Sequence, residues 1–129
     1  MDTNATNKII HKELSYKIVG FFYKIQNKLG RYCLEKQYGD ALEKLLKENK
    51  IKYEREKAIT VENRKSSFVD FYIENILLVD LKNKPYITKE DYYQMKRYLK
   101  LFNLELGLVV NFRQRYLKPK RVLNFKKNS

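Results

Sequence analysis

Apolar positions recur along this chain with changing periods, and the changes mark out its elements. From Lys8 to Leu29, Ile9, Ile10, Leu14, Ile18, Phe21, Phe22, Ile25 and Leu29 return at steps of three and four, which predicts an amphipathic helix. Gly30 offers that helix a stop. A second helix is predicted from Leu34 to Asn49, with Leu34, Tyr38, Ala41, Leu42, Leu45 and Leu46 facing inward. Ile51 to Val61 reads as a strand whose charged section, Glu54-Arg55-Glu56-Lys57, suits a sheet edge; Glu62 to Lys65 reads as a polar turn. Thr88 is the expected N-cap of a third helix over Lys89 to Phe102, with Tyr92, Met95, Leu99 and Phe102 on one side and Gln94 and Tyr98 as a polar pair on an adjacent face. Leu106 to Phe112 is an uninterrupted apolar run, typical of a strand covered on both faces, and Arg121 to Phe125 reads as a short last strand. This order predicts a single α/β domain with a mixed central sheet flanked by helices.

Between these elements lies the stretch around which the chain is organised. Residues Ser67 to Asn83 hold two runs rich in Phe, Tyr, Ile, Leu and Val around Glu74-Asn75, the pattern of a β-hairpin. Asp70, Asp80 and Lys82 are set into these apolar strands, where charge costs several kcal/mol unless it is paired or binds a metal. Side chains alternate faces along a strand, so Asp80 and Lys82 share one face and Leu81 takes the other. A two-residue turn would put Asp70 and Asp80 on opposite faces. A three-residue turn, Glu74-Asn75-Ile76, puts them directly opposite each other on the same face, and this register is the predicted one because Asn75 tolerates a left-handed conformation. Cross-strand neighbours lie about 4.5–5.5 Å apart, close enough for two carboxylates to hold one hard divalent cation.

Composition narrows the chemistry. A chain of 129 residues with 43% hydrophobic content can bury one core. No apolar run approaches the ~20 residues that span a bilayer, and the polar start MDTNATNK lacks a signal-peptide core, so no membrane role is expected. The one cysteine, Cys33, forms no internal disulfide and fits a reducing, cytoplasmic compartment; with His11 as the one histidine, a metal would be held by oxygen ligands. Lys and Arg outnumber Asp and Glu by 28 to 15, a net charge of +13 that points to a polyanion such as nucleic acid, against the plain alternative of a Lys-rich compositional bias. Beyond Glu105 stand Arg113, Arg115, Lys118, Lys120, Arg121, Lys126 and Lys127 without an acid among them: either a solvated tail or a phosphate-contacting segment. Residues 1–7 are expected to be disordered, 8–125 to form the domain and 126–129 a basic tail.

The order Glu35, Asp70, Asp80-Leu81-Lys82 and Gln94 resembles the PD-(D/E)XK nuclease superfamily, with its restriction-endonuclease-like core. Gln94-Met95-Lys96-Arg97-Tyr98 is similar to the QxxxY element of the RecB-like exonuclease branch. Leu14-Ser15-Tyr16-Lys17-Ile18-Val19-Gly20, Leu29-Gly30, Leu34-Glu35-Lys36-Gln37-Tyr38, Tyr53-Glu54-Arg55-Glu56 and Val109-Val110-Asn111-Phe112 resemble the GxxExxY protein family. The sequence departs from that family at Tyr32, where its first glycine would stand, at Phe68 in place of an arginine, and at Asp80 in place of the usual glutamate. None of these removes an expected ligand.

The resemblance implies a Mg²⁺- or Mn²⁺-dependent nuclease. Asp70, Asp80 and the Leu81 carbonyl would bind the cation, with Glu35 joining directly or through water. Lys82 would act on the water or the transition state, Gln94 would bond the water or a ligand, and Tyr98 would contact the backbone or brace the site. On pattern alone, Glu35 suits a solvated helix edge better than a ligand, and Asp80–Lys82 equally suits a metal-free ion pair. The expected partner is nucleic acid, DNA favoured over RNA, with room for a homodimer or a partner protein. The rival readings are a non-catalytic nucleic-acid-binding module and an accessory subunit that retains the nuclease fold.

Overall fold

In the computed structural model, which describes residues 11–125, the chain folds as α1 (Lys12–Leu29), α2 (Glu35–Glu48), β1 (Tyr53–Val61), β2 (Arg64–Ile73), β3 (Leu77–Lys82), α3 (Lys89–Phe102), β4 (Leu106–Asn111) and β5 (Lys120–Leu123). The segments 1–7 and 126–129 lie outside the described residues. The five strands form one mixed sheet in the order β1-β2-β3-β4-β5. Every neighbouring pair is antiparallel except β3 and β4, which run parallel because α3 carries the chain back across the sheet between them.

Helices cover both faces of this sheet, as expected for an α/β domain. On one face Ile18 and Phe22 of α1 and Tyr38, Leu42 and Leu46 of α2 pack on Phe71, Val79, Leu81, Leu108 and Val110. On the other, Met95, Tyr98 and Leu99 of α3 pack on Val69, Leu78, Val109 and Val122. The two central strands are therefore covered on both sides, and all six residues of β4 are buried. Gly107 is needed here: a Cβ at this position would come within 2.5 Å of the Met95 sulfur, so its absence lets α3 lie close to the sheet.

Several expected boundaries move. Glu62 and Asn63 alone make the β1–β2 turn, both with positive φ, as a two-residue type I′ hairpin requires, so β2 begins at Arg64. Leu34 sits at the N-cap of α2 in extended backbone, its N–H donating to the Gln37 side chain, and is 71% exposed instead of facing inward. β5 runs from Lys120 to Leu123, which leaves Phe125 exposed. Tyr98 is not on a polar face but buried in the second core, its hydroxyl 2.9 Å from Ser67 Oγ. The charged section of β1 does lie on an edge strand. Arg55 nevertheless turns inward over Phe71 and reaches Asp40 and Glu43 of α2.

Candidate functional site

The turn between β2 and β3 decides what the hairpin can do. Pairing Ile73 with Leu77 leaves Glu74, Asn75 and Ile76 as a three-residue connection, with Glu74 and Asn75 both left-handed and Ile76 N–H donating to the Ile73 carbonyl. The same register, continued from the Phe71–Val79 pair, places Asp70 opposite Asp80. Backbone pairing between the two strands stops at Phe71–Val79. Beyond it the Asp70 carboxylate takes the place of a ladder partner, accepting the Leu81 N–H at 2.6 Å.

Asp70 also sits where β1 and β2 exchange faces. Arg55 and Phe71 point toward α2, whereas Val69 and Ile59 belong to the core under α3. Equal residue parity should have kept Phe71 and Val69 on one side. The exchange falls at Glu56, whose φ is +52° and which lies between the Arg55–Phe71 and Lys57–Val69 pairs, across from Asp70. A local kink thus brings Asp70 out of the alternation and toward a cleft of about 220 Å³ lined by Glu35, Arg55, Glu56 and Leu81.

Charge is unevenly compensated in this place. Burial, then the neighbouring Asp80, push the Asp70 carboxyl from its ordinary 3.8 to about 8; Glu35 adds to the rise and the Leu81 N–H opposes it. Asp80 is 6% exposed and accepts a 3.0 Å ion pair from Lys82. Asp91, on the first turn of α3, stands 3.9 Å from Lys82 and 2.5 Å from Lys84. Burial would lower the Lys82 ammonium, yet Asp80, Asp91 and Asp70 together raise it above its usual value. Burial likewise works against ionised Asp91, but Lys84 and the Thr88 cap hold it below the usual carboxylate range. A chain of alternating charges, Asp80–Lys82–Asp91–Lys84, runs along the rim, with Asp70 at one end outside it.

Glu35 is exposed on the first turn of α2, facing the cleft, and its field reaches Asp70. Gln94 is half-buried on α3, one turn from Asp91 and one turn from Tyr98. The basic segment does not form one surface. Lys120 lies over Tyr92 of α3, whereas Arg121 donates to Ser15 Oγ of α1, since adjacent residues of a strand point to opposite faces. Arg113 is tied to Asn83 and lies over Tyr32; Arg115 lies over Tyr116, and Lys118 is exposed.

The donor set suits a hard cation: two facing carboxylates, one with its pKa raised by burial and by the other, beside the Leu81 backbone. Among the described residues no three His, Cys, Asp or Glu side chains converge into a full ligand cluster, so Asp70 and Asp80 form the core of the set and Glu35 stands at its rim. Asp91 and Glu56 were missed in the sequence. Asp91 was hidden by its obvious capping role, and Glu56 could have been found only by continuing the β1–β2 register to Asp70.

A sequence model described as the PD-(D/E)XK nuclease superfamily matches residues 12–123. A solved structure, that of SSO0001, is similar to this chain at 17% identity and a TM-score of 0.49; the match covers 82% of this chain and 62% of SSO0001, so the chain spans less than two thirds of that protein. No curated protein matches the chain. No helix among the described residues is long and apolar enough to cross a membrane.

Proposed function

The chain belongs to the PD-(D/E)XK nuclease superfamily, and from that premise we propose that it is a metal-dependent nuclease hydrolysing phosphodiester bonds in DNA or RNA, with DNA favoured. The observation that carries this reading is the three-residue turn setting Asp70 opposite Asp80, with Lys82 beside them. Nucleases of this superfamily generally use divalent metals. A bound Mg²⁺ or Mn²⁺ would polarise the scissile phosphate and acidify a water. Asp70, Asp80 and the Leu81 carbonyl would hold the ion, with Glu35 contributing through water. Lys82 then has two tasks: orienting the attacking water and offsetting charge that builds on the phosphoryl oxygens. Gln94 bonds that water or a substrate oxygen, and Tyr98, anchored on Ser67, braces the face of α3 that carries it. Arg113, Arg115, Lys118 and Lys120 contact phosphates, Arg113 from a position fixed by Asn83, while Arg121 contributes field from one fixed by Ser15.

Within the superfamily, the segments quoted above favour the GxxExxY family and, through Gln94 and Tyr98, the RecB-like branch. The domain spans 8–125 and acts in the cytoplasm. One observation favours the non-catalytic alternative: the Asp80–Lys82–Asp91–Lys84 chain neutralises Asp80 without a cation. The two readings separate on degradation of single- and double-stranded DNA and RNA in Mn²⁺, Mg²⁺ or chelator. A nuclease cuts only with metal and loses at least about a hundredfold in rate on Lys82→Ala or Asp80→Asn. Metal-independent binding without cleavage in any condition selects the binding module.

A further inference from the structure

The corner between α1 and α2 gathers positive charge that no acid among the described residues offsets. The Arg31 and Arg113 guanidinium carbons each lie 5.3 Å from the Tyr32 ring centroid. Arg31 donates to the Arg113 carbonyl and Arg113 to Asn83 Oδ1, so backbone and amide fix the two cations side by side. Among the described residues no acid stands within ion-pair distance of either. By contrast, Arg55 has Asp40 and Glu43, and Lys84 has Asp91. Two like charges held around an aromatic ring that is 73% exposed make a poor packing device. They make a good receptor for a phosphate with a flat group beside it.

This corner borders the candidate site. Asn83 follows Lys82 directly, and Tyr32 is three residues before Glu35. A second aromatic and basic cluster lies at the same end of the sheet on its other face. Lys120 is 5.0 Å from the Tyr92 ring centroid, Tyr93 is 48% exposed, and the two rings meet edge to face. The register aligns Asp80 with Val109 and Val109 with Lys120, so Lys120 lies two strands from Asp80, about 10 Å at the usual strand spacing.

Resting on the nuclease reading of the site between them, we propose that these clusters select an unpaired strand: Tyr32 and Tyr93 stack splayed bases, and Arg31, Arg113 and Lys120 hold the flanking phosphates. A ring face is open to an unpaired base and closed to one stacked inside a duplex. The resulting path runs from the α1–α2 corner past Asp70, Asp80 and Lys82 to the start of α3.

The test is fluorescence anisotropy in chelator, where nothing is cut, comparing end-labelled oligothymidylate with a hairpin duplex of equal length. The wild type is expected to prefer the single strand by at least about tenfold, and Tyr32→Ala to lose roughly five- to a hundredfold on that strand alone, with Tyr32→Phe restoring it. Arg31→Gln should weaken both ligands and reduce the salt slope by about one. Unaltered thermal melting shows that each variant remains folded. Equal affinity for the two ligands, or a Tyr32→Ala loss shared equally between them, overturns the proposal. Loss of all cleavage with strand preference intact overturns the nuclease reading alone, and cleavage without preference overturns the stacking path alone.

Discussion

Two groups of buried or half-buried charge sit on neighbouring strands of the same sheet and are treated in opposite ways. At the β1 edge, Arg55 reaches Asp40 at 2.7 Å and Glu43 at 3.2 Å and lies over Phe71, while Tyr53 donates to Glu43 at 2.6 Å. Burial and that bond push the Tyr53 hydroxyl up to about 12. Donors and acceptors match, and the cluster fastens α2 to the sheet. Across β2, two acids, Asp70 and Asp80, face each other, and only Asp80 has a cation at contact distance. The first arrangement lowers the energy of the folded chain by itself. The second becomes favourable only when something positive arrives. Location on a sheet therefore says little about what a charge is for; the match of signs around it says more.

The sharpest way to break this contrast is Asp70→Asn. Cleavage is expected to fall at least about a hundredfold in a gel assay with Mn²⁺, while the melting temperature in chelator rises because an acid kept from ionising by burial and by Asp80 is gone. A fall in both would assign Asp70 a structural role. Arg55→Ala should act in the opposite sense, lowering unfolding free energy by about 1–3 kcal/mol in urea titration, since Asp40 and Glu43 lose their cation.

The pH dependence of stability follows from Asp70. Its pKa is about 8 in the fold against an ordinary 3.8, so between those values the folded state binds the extra proton. Stability without metal should then decline as pH rises from about 4 to about 8, and saturating Mg²⁺ should flatten the decline; differential scanning calorimetry across this window reads both. The smallest effect is expected from Tyr53→Phe, about 0.5–1.5 kcal/mol from one lost hydrogen bond, seen as a lower urea midpoint with unchanged slope.

Much of the scaffold was readable from residue order because local rules determine it. The three-residue turn, the edge placement of β1 and the two-sided burial of β4 follow from parity, from Asn75 and from an unbroken apolar run. What escaped was non-local. The exchange of faces at Glu56 and Asp70 depends on one positive φ in a non-glycine residue, which leaves no mark on the hydrophobic pattern. Tyr98 looked like half of a polar pair, yet its ring is buried because Ser67, on another element, satisfies its hydroxyl. The basic run from Arg113 to Arg121 reads as one patch in one dimension. Period-two alternation in β5 already required Lys120 and Arg121 to part.

The 2.6 Å bond from the Leu81 amide to Asp70 also makes that amide a built-in reporter. In a proton–nitrogen correlation spectrum its resonance should sit far downfield while the carboxylate is charged and move upfield as acid is added through about pH 8. Its protection from exchange with deuterated solvent, taken relative to the intrinsic rate at each pH, should fall over the same range as the bond weakens. A single backbone signal would thus follow the state of the side chain on which the site depends, without a substrate, a dye or a mutation.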